Sequence, residues 1–440
     1  MCTCPPFGLS CSYAPLETEK AMEVYGSAVS GERSFSLEVA WKKANETLDE
    51  TGLTADFTTL DGDPGACRCE LLRGADQLGG IPGTGKGHGF MAKVGAVYEA
   101  IEHQFLDGFL FDEKKLSLVP AHRAAAEPAL SADGAVALLK DGENTPLSCL
   151  EYESLRDGSR IRVPLFLSSV WWTEGKTERR RRRLGDNHNY GSVGRYASNN
   201  GSAIGANVTE ATVHAINEVI ERDALSLLAL RSFLTPEPAL STVDAQTLPA
   251  DLQELLAYAE GVVGEQVHLI DMTTEIGIPV TLAYVAPGPD GSYWRGTGAS
   301  LSTAHSVYRA LTELLQIYQV AAREGTTIVP STRLVRNYPP LVACAEFNLT
   351  DALSRAEAVP FVRPEPLQGP EAHLEALMET LQARGLEAYR HVTHTFDSGV
   401  TVVQMLIPGL ERFMLTLKGQ FVLPGPRGKS FMAGLADRSS

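Results

Sequence analysis

The chain has 440 residues, of which 44% are hydrophobic and 21% are charged, and its formal net charge at pH 7 is −16. This composition is typical of a globular protein with a large core. The strong negative charge disfavours binding to nucleic acid, and no apolar run approaches the roughly 18 residues that a membrane span requires.

Residues 1–35 are predicted to be a poorly ordered N-terminal tail. The tail lacks the basic region and long apolar run of a secretory signal, and the chain has an odd number of cysteines, seven. Both features favour the reducing cytoplasm. Two Cys-x-Cys pairs, Cys2/Cys4 and Cys67/Cys69, could together bind zinc, but free thiols are the simpler expectation.

An internal repeat follows the tail and covers residues of about 40–104 and 250–317. Each unit is predicted to contain a helix, a strand with Asp-x-Thr-Thr, a second strand, a glycine turn and another helix. The glycine turns are Gly83-Thr84-Gly85 and Gly296-Thr297-Gly298. The first half of the unit recurs at 373–402, without the glycine turn and the second helix.

Between the two units lie an arginine-rich stretch, 178–190, and a glycine-spotted motif, 198–224. The five consecutive arginines, Arg179 to Arg183, are predicted to form a solvated loop, although they could also grip phosphate, an acidic leader peptide or an acidic partner. The whole of 36–428 is predicted to be one α/β domain of the mixed α+β type. Residues 429–440 are predicted to be a C-terminal tail.

Three candidate helices carry the same pattern, in which a small residue and two acidic or amide side chains follow one another at intervals of three. Residues three apart share a helix face, where two like charges repel each other. A solvated face would not need the same alanine and acid each time, so the pattern favours a shared functional site. The three sets are Ala96, Glu99 and Glu102; Ala215, Glu218 and Glu221; and Ala310, Glu313 and Gln316.

Carboxylates brought together in one cleft need cations, and Mg²⁺ prefers oxygen ligands supplied by a few carboxylates and substrate phosphates. The acidic helices therefore predict a metal ion, and the metal predicts a nucleotide. Lys86 lies in a glycine-rich turn before a helix N-terminus, which is a natural anion site. Arg222 and Arg309 lie on candidate helices and offer bidentate donors to phosphate. The spacing matches neither a Walker loop nor a kinase glycine loop.

The stretch SNNGSAIGANVTEATVHAINEVIERDA, residues 198–224, resembles the signature of the YcaO family. The Gly-Lys-Gly before AVYEAIEH and the stretch GTGASLSTAHSVYRALTELLQ resemble the family's other two ATP motifs, and LIPGLE at 406–411 also fits. The resemblance covers about 36–428 and implies an enzyme that uses ATP and Mg²⁺ to phosphorylate peptide backbone amides. The product is an azoline when a neighbouring side chain attacks the amide, and a thioamide when a sulfur donor does.

The resemblance also implies roles for individual residues. One set would hold Mg²⁺ or orient its shell: Glu99, Glu102, Glu218, Glu221, Glu313 and Gln316. A second set would meet the ATP phosphates: Lys86, Asn200, Asn207, Arg222 and Arg309. No catalytic residue is assigned.

The sequence departs from the family pattern at several positions. Gly95 stands where a serine is usual, and His103 follows Glu102 where arginine or glutamine is usual. Ala206 replaces an asparagine, which a shift of one residue could restore as Asn207. Azoline-forming members often end in a proline-rich sequence, whereas the proline cluster of this chain lies inboard at 423–428. The last difference keeps the thioamide alternative open.

The expected partners are a precursor peptide and either a leader-binding protein or a TfuA-like protein, and a homodimer is left open. The leading prediction is a cytoplasmic, ATP- and Mg²⁺-dependent enzyme that forms azolines in a ribosomally synthesised peptide. Thioamide formation with a TfuA-like partner is the first alternative. The second is a non-catalytic scaffold or binding subunit, which the departures at Gly95, His103 and Ala206 support.

Overall fold

A computed structural model of the chain describes residues 31–74, 76–78, 80–106, 110–235, 240–288, 291–362 and 367–439. Within these ranges the fold is mixed α/β, as predicted. Most of the predicted N-terminal tail, including Cys2 and Cys4, lies outside the described residues. None of the described helices is both long enough and apolar enough to cross a membrane.

The helices, in chain order, are α1 (Leu37–Thr51), α2 (Gly89–Leu106), α3 (Ala121–Ala125), α4 (Gly134–Ala137), α5 (Glu178–Arg183), α6 (Val208–Leu234), α7 (Ala250–Val263), α8 (Thr303–Glu324), α9 (Pro339–Glu346), α10 (Thr350–Leu353), α11 (Gly369–Ala383) and α12 (Pro426–Ser439). The strands are β1 (Thr54–Thr59), β2 (Gly65–Arg73), β3 (Asp76–Gln77), β4 (Gly83–Gly87), β5 (Ser117–Pro120), β6 (Pro146–Ser154), β7 (Arg160–Pro164), β8 (Ser202–Gly205), β9 (Ser241–Val243), β10 (His268–Asp271), β11 (Val280–Val285), β12 (Trp294–Ala299), β13 (Glu357–Val359), β14 (Tyr389–Thr395) and β15 (Thr401–Leu406).

The described strands form three sheets. In the first, β2 pairs with β1, β3 and β4, and in the second the order is β12-β11-β10-β9-β13. The third has the order β5-β6-β14-β15-β8, with β7 also paired to β6. Pairing is antiparallel throughout except between β13 and β9. Helices α2 and α8 each follow the last long strand of their sheet, β4 and β12 respectively.

The two segments predicted as glycine turns are strands, and this corrects the sequence analysis. Gly83-Thr84-Gly85 belongs to β4 and Gly296-Thr297-Gly298 belongs to β12. Glycine is depleted in strands, so the pattern suggested a turn. The structure shows why glycine is needed here: its missing side chain lets a helix lie directly against the strand.

The alanine that begins each helix pattern faces these glycines. A Cβ added at Gly83 would lie 2.2 Å from the carbonyl oxygen of Ala96, and one at Gly296 would lie 2.2 Å from that of Ala310. Both alanines are fully buried. Contact of glycine with alanine therefore sets how closely α2 and α8 approach their strands. The first acidic residue after each alanine, Glu99 or Glu313, then lies beside the strand, where a threonine of the strand contacts it.

Helix α6 has 27 residues and is buried along most of its length, against β8, β15, α11 and α12. Apolar residues on all sides are typical of such a central helix. Its buried Asp223 accepts two hydrogen bonds from Arg427 of α12, at 2.7 and 2.9 Å. Arg427 also lies 2.5 Å from Glu275. The segment predicted as a C-terminal tail thus continues α12, which charged groups hold against the back of α6.

The arginine run forms the short helix α5 rather than a solvated loop. Arg181 is buried and donates to the backbone oxygen of Trp172 and to Thr177. Arg180 pairs with Glu113, which also lies 3.4 Å from Arg183. Arg179, Arg182 and Arg183 stay exposed, so the run is a largely solvated helix in which one arginine is buried, and the sequence pattern of a charge block did not reveal that burial.

Candidate functional site

A cavity of about 470 Å³ lies where both strand–helix pairs, β4–α2 and β12–α8, meet helix α6. The structure brings together in its lining nearly all the residues that the sequence analysis singled out, although they are far apart along the chain. These are Lys86, Glu99, Glu102, Asn200, Glu218, Glu221, Arg222, Arg309, Glu313 and Gln316.

Asn207 is the exception among the predicted residues. It is the N-cap of α6, where its side-chain oxygen accepts a hydrogen bond from the backbone N–H of Glu210 at 2.9 Å. Its amide nitrogen donates to Ser34 at 2.9 Å. Asparagine is a favoured N-cap because its oxygen satisfies an unpaired helix N–H. Asn207 follows the family's asparagine position by one residue, and it therefore caps α6 instead of facing the cavity. Ala206, at the family position itself, lines the cavity.

Lys86 forms the central ion pair of the cavity. Its Nζ lies 2.7 Å from Glu313 Oε2 and donates to the backbone oxygen of Arg309 at 3.3 Å. Burial lowers the pKa of Lys86. Burial also opposes ionisation of Glu313, but Lys86 and Arg222 outweigh it and hold the pKa of Glu313 below its ordinary value. Glu313 is therefore ionised at neutral pH, and its contact with Lys86 contributes to this.

Arg222 and Thr297 connect the acidic residues of α6 and α8. Arg222 Nη1 lies 3.5 Å from Glu221 Oε1, and its Nε lies 4.0 Å from Glu218 Oε1. The Thr297 hydroxyl donates to Glu221 Oε1 at 2.6 Å and lies 3.3 Å from Glu313 Oε1. This threonine of the second Gly-Thr-Gly thus holds carboxylates from two helices within one hydrogen-bonded group.

Glu99 has different surroundings on α2. Its Oε2 accepts a hydrogen bond from the backbone N–H of Thr84 at 2.6 Å, and Gln316 donates to the backbone oxygen of Thr84 at 2.5 Å. His103 Nε2 lies 3.8 Å from Glu99 Oε1. Burial raises the pKa of Glu99, and His103 partly opposes the rise. The departure from the family pattern at residue 103 therefore places an imidazole beside a predicted metal ligand.

Glu218 is an acidic residue of the cavity whose ionisation is strongly disfavoured by burial. Its side chain is 21% exposed, and burial raises its pKa to about 7, with Arg222 opposing the rise and Glu221 adding to it. A divalent cation placed near such a group favours its ionised form. Glu218 is thus suited to a site that is completed by a metal ion.

The departure at Gly95 has a packing explanation. A Cβ at this position would lie 3.3 Å from the Cα of Gly85, where α2 crosses β4. A contact this short is tight for a Cβ, and a shift of a few tenths of an ångström between helix and strand would relieve it. Gly95 therefore belongs to the same close strand–helix contact as the paired glycines of β4.

Sequence reasoning missed several cavity residues on the predicted helices, notably His214, His305 and Tyr308. A usable signal was present: His214 lies four residues before Glu218, and His305 lies four before Arg309, so each shares a helix face with a predicted residue. His214 Nε2 lies 3.5 Å from Arg309 Nη2. Burial lowers the pKa of His214 well below its ordinary value and that of His305 to about 4, so both imidazoles are neutral at neutral pH.

The cavity suits a nucleotide in size and in lining. Its volume lies in the usual range for small-molecule sites. Within the described part of the chain, three lining residues carry buried polar atoms without a hydrogen-bond partner: Nε of Arg309, Oδ1 of Asn200 and Oγ of Ser202. Buried polar atoms are nearly always paired, so these three favour a polar ligand. The lining also includes apolar side chains that could face a base: Phe35, Met91, Val94, Tyr98, Ile204 and Tyr308.

The carboxylates do not form a finished metal site. Among the described residues, no group of three or more His, Cys, Asp or Glu side chains is arranged to hold a metal ion. Cys67 and Cys69 are buried free thiols within β2. Oxygen donors are nevertheless plentiful, and Mg²⁺ commonly takes only a few carboxylates and completes its shell with phosphate and water. The donor set therefore fits Mg²⁺ that arrives with a nucleotide.

The fold and the cavity together define a class of protein that binds a phosphorylated ligand through acidic helices and a few cations. The model of the YcaO family, described as YcaO cyclodehydratase with ATP and Mg²⁺ binding, matches residues 84–411. The match covers most of the chain, which therefore belongs to the YcaO family. The predicted family is confirmed, and so are the predicted cofactors, ATP and Mg²⁺.

The structure is similar to that of YcaO from Methanopyrus kandleri bound with AMPPCP and Mg²⁺, with a TM-score of 0.61 and 20% sequence identity over 89% of this chain and 96% of that chain. It is also similar to a heterocyclase in complex with substrate and cofactor, with a TM-score of 0.58 and 17% identity over 88% of this chain and 54% of that one. The Escherichia coli microcin synthetase complex McbBCD gives a TM-score of 0.55 at 12% identity, over 82% and 88% of the two chains. At these identities the similarity confirms the predicted fold class.

Two curated proteins are related in sequence, and both are uncharacterised. One, from Rhizobium leguminosarum bv. trifolii, is a protein in the tfuA 3′ region, 28% identical over 298 residues, which are 63% of this chain and 63% of the relative. The other, from Methanothermobacter thermautotrophicus, is 30% identical over 239 residues, 51% of this chain and 58% of the relative. The chain thus matches less than two thirds of either relative's length.

Proposed function

We propose that this chain catalyses ATP- and Mg²⁺-dependent phosphorylation of backbone amides in a ribosomally synthesised precursor peptide. The observation that carries the proposal is the single cavity in which acidic residues of α2, α6 and α8 lie beside Lys86, Arg222 and Arg309. Phosphoryl transfer relies almost entirely on positioning and electrostatic stabilisation, which is what such a cavity supplies.

In this proposal each group of side chains has a separate task. When bound, ATP with Mg²⁺ supplies the γ-phosphoryl group that turns the amide oxygen into part of a leaving phosphate. Glu99, Glu218, Glu221 and Glu313 hold the metal ion, with Glu102 and Gln316 orienting its surroundings. Lys86 and the two arginines neutralise phosphate charge. Lys86, whose Nζ lies 2.7 Å from Glu313 Oε2, would be available to a phosphate oxygen at this position.

The product that we propose first is an azoline. The peptide's own cysteine, serine or threonine attacks the preceding amide carbon, the amide oxygen leaves with the transferred phosphoryl group as phosphate, and loss of the nitrogen-bound proton completes the ring. The family description as cyclodehydratase supports this product. An oxygen-isotope label in the amide would then be recovered in the released phosphate, and the peptide would lose the mass of one water.

A thioamide made with a TfuA-like partner is the second candidate, and a specific observation favours it. The Rhizobium relative is encoded beside tfuA. In addition, the inboard proline cluster at 423–428 lies at the back of α6, where Arg427 is held by Asp223. In this reaction a sulfur donor replaces the amide oxygen, so the peptide gains the mass difference between sulfur and oxygen. Mass spectrometry of the precursor, with and without the partner protein, separates the two products.

Nucleotide binding tests the proposal before any peptide is known. Calorimetric titration with AMPPCP should give clear binding in the presence of Mg²⁺ and much weaker binding in its absence, because carboxylates repel a polyphosphate unless divalent cations bridge them. Equal affinities would contradict the proposed metal role. Binding without peptide-dependent phosphate release, tested with the precursor and its partner present, would instead favour a non-catalytic scaffold.

A further inference from the structure

The segment of residues 31–36, called the strap here, lies directly before α1 and along the cavity. Two of its side chains, Arg33 and Phe35, line the cavity. Between them, the backbone N–H of Ser34 donates to Oε1 of Glu210 at 2.5 Å, and Arg33 Nη1 lies 3.7 Å from Oε2 of the same carboxylate. The strap thus contributes one wall of the cavity, and its contacts with α6 hold that wall in place.

Glu32 is buried in a polar socket outside the cavity's ion pairs. The Ser300 hydroxyl donates to its Oε1 at 2.5 Å, and the Asn217 amide donates to the same oxygen at 3.3 Å. His305 Nε2 lies 3.7 Å from Oε2, and His373 Nδ1 lies 3.9 Å from Oε1. Because the socket combines residues of α6, α8, α11 and the loop after β12, one carboxylate ties the strap to several elements at once.

The backbone of the strap has little freedom at its start. Gly31 has φ of +63°, which is left-handed, and a Cβ there would lie 2.2 Å from the carbonyl oxygen of Leu367. Only glycine combines this conformation with such a close approach. The chain is therefore guided past the start of α11 in the one direction that places the next side chain, Glu32, in its socket.

The socket holds Glu32 as an anion. Burial opposes its ionisation, but His305, the Ser300 hydrogen bond and the neighbouring Arg309 together hold its pKa below the ordinary value. A buried carboxylate is costly unless it is hydrogen-bonded, so the contacts and the charge depend on each other. Removing the charge would weaken the tie without altering any side chain that lines the cavity.

We propose that Glu32 is a positioning residue that fastens the strap over the nucleotide cavity and thereby slows the release of bound nucleotide. This inference rests on the proposed nucleotide function of the cavity. Glu32 does not itself line the cavity, but it contacts one lining residue, His305, so its effect passes through His305 as well as through Arg33 and Phe35. Release of a bound nucleotide then requires the strap to detach, or requires the nucleotide to displace it while leaving.

How firmly the strap is attached can be tested by proteolysis, without any nucleotide. Trypsin cleaves after Arg33, and in the wild-type protein the fastened strap should resist cleavage. Glu32→Gln keeps the side-chain shape and removes the charge, and we expect faster cleavage at this bond, identified by mass spectrometry. The matched control is Glu46→Gln, which changes an exposed glutamate of α1 paired only with Lys42 at 3.6 Å. It should be cleaved like the wild type.

The second measurement is the dissociation rate of a fluorescent ATP analogue with Mg²⁺, by stopped flow. Loss of the buried charge in Glu32→Gln should accelerate dissociation about tenfold. His373→Gln should act in the same direction, because His373 contacts Glu32 and lies outside the cavity lining. Glu46→Gln should leave the rate unchanged.

The outcomes separate this proposal from the proposed function. If the wild-type protein binds no analogue, the nucleotide function fails, and tryptic cleavage alone then decides whether Glu32 holds the strap. If the analogue binds and Glu32→Gln releases it at the wild-type rate, the proposal is overturned, even where the melting temperature falls. Faster cleavage without faster dissociation overturns it as well.

Discussion

Two strand–helix pairs, β4–α2 and β12–α8, face the cavity, and they use the same residue pattern in different ways. In β4–α2 the threonine of Gly-Thr-Gly binds Glu99 through its backbone N–H. In β12–α8 the matching threonine, Thr297, uses its hydroxyl to bind Glu221. The helix geometry is alike in both pairs because glycine packs on alanine, whereas the contacts of the carboxylates differ.

The charge states of the two sides differ in consequence. Glu99 faces His103 and its pKa is raised by burial, while Glu313 faces Lys86 and Arg222 and its pKa is held low. A shared sequence pattern thus fixes where a carboxylate lies, and the cations around it decide how readily it ionises. On the β12–α8 side, the carboxylate of Glu313 is therefore ionised before any ligand binds.

The largest expected effect comes from removing the charge of Glu221, the α6 carboxylate that Thr297 of β12 binds. Glu221→Gln should lower peptide-dependent phosphate release about 100-fold or more, because electrostatics and positioning supply most of the catalysis of phosphoryl transfer. The fold should survive, since glutamine can still accept the hydrogen bond from Thr297. The assay needs the precursor and any partner, with the melting temperature followed in parallel.

The control for this variant is Arg179→Gln on α5, an exposed residue that should leave turnover unchanged. Near-normal turnover of Glu221→Gln would show that the carboxylate is structural. A loss of activity that merely follows unfolding would lead to the same conclusion.

A matched pair of threonine variants tests the comparison directly. Thr297→Val removes the hydroxyl that holds Glu221 near Glu313 and should lower turnover about tenfold, as expected for one lost hydrogen bond to a charged group. Thr84→Val leaves the backbone N–H that binds Glu99 and should change turnover little. Valine suits a strand position in both cases. Equal losses of turnover in the two variants would mean that β4–α2 and β12–α8 do not differ in how their threonines hold the carboxylates.

The smallest expected effect concerns stability and tests the role of α6, which contacts both sides. Burial raises the pKa of Glu218 from an ordinary 4.5 to about 7. Between these values the folded protein binds a proton that the unfolded protein has lost, so stability falls as pH rises through this window. The penalty is complete above the folded pKa and absent below the unfolded one.

Glu218→Gln carries no such penalty. Without nucleotide, its melting temperature should therefore exceed that of the wild type by a few degrees at about pH 8, and the difference should shrink at about pH 5. Melting curves at the two pH values provide the measurement. A difference that is the same at both would mean that the carboxylate is not buried as described.

The sequence pattern was sufficient to predict the three acidic helices, because a period of three to four residues is a local property of the chain. It also predicted the grouping of Lys86, Arg222 and Arg309 with the carboxylates, through the family resemblance. The prediction of turns at Gly83-Thr84-Gly85 and Gly296-Thr297-Gly298 was wrong. Local propensity cannot show that a helix distant in sequence or following in the chain will pack against these segments as strands. The same limit applies to Arg180 and Arg181, whose partners Glu113 and Trp172 are fixed by tertiary contacts.

The missed residues share a physical reason. Glu32 and His373 are far from the ATP motifs in sequence, and their meeting depends on how residues 31–36 pass α11. Such a contact leaves no periodicity and no motif. His214 and His305, in contrast, could have been found, because each lies one helical turn from a predicted residue.

The bond between Asp223 and Arg427 sets a limit on how far this protein can be shortened. Asp223 is fully buried and follows Arg222 directly in the chain, so its charge must be balanced within the fold. A fragment that stopped before Arg427 would leave that carboxylate without its cation, at a cost of several kcal/mol, immediately behind the cavity. The smallest fragment that keeps the nucleotide site intact must therefore include the start of α12, although none of the described residues of that helix lines the cavity.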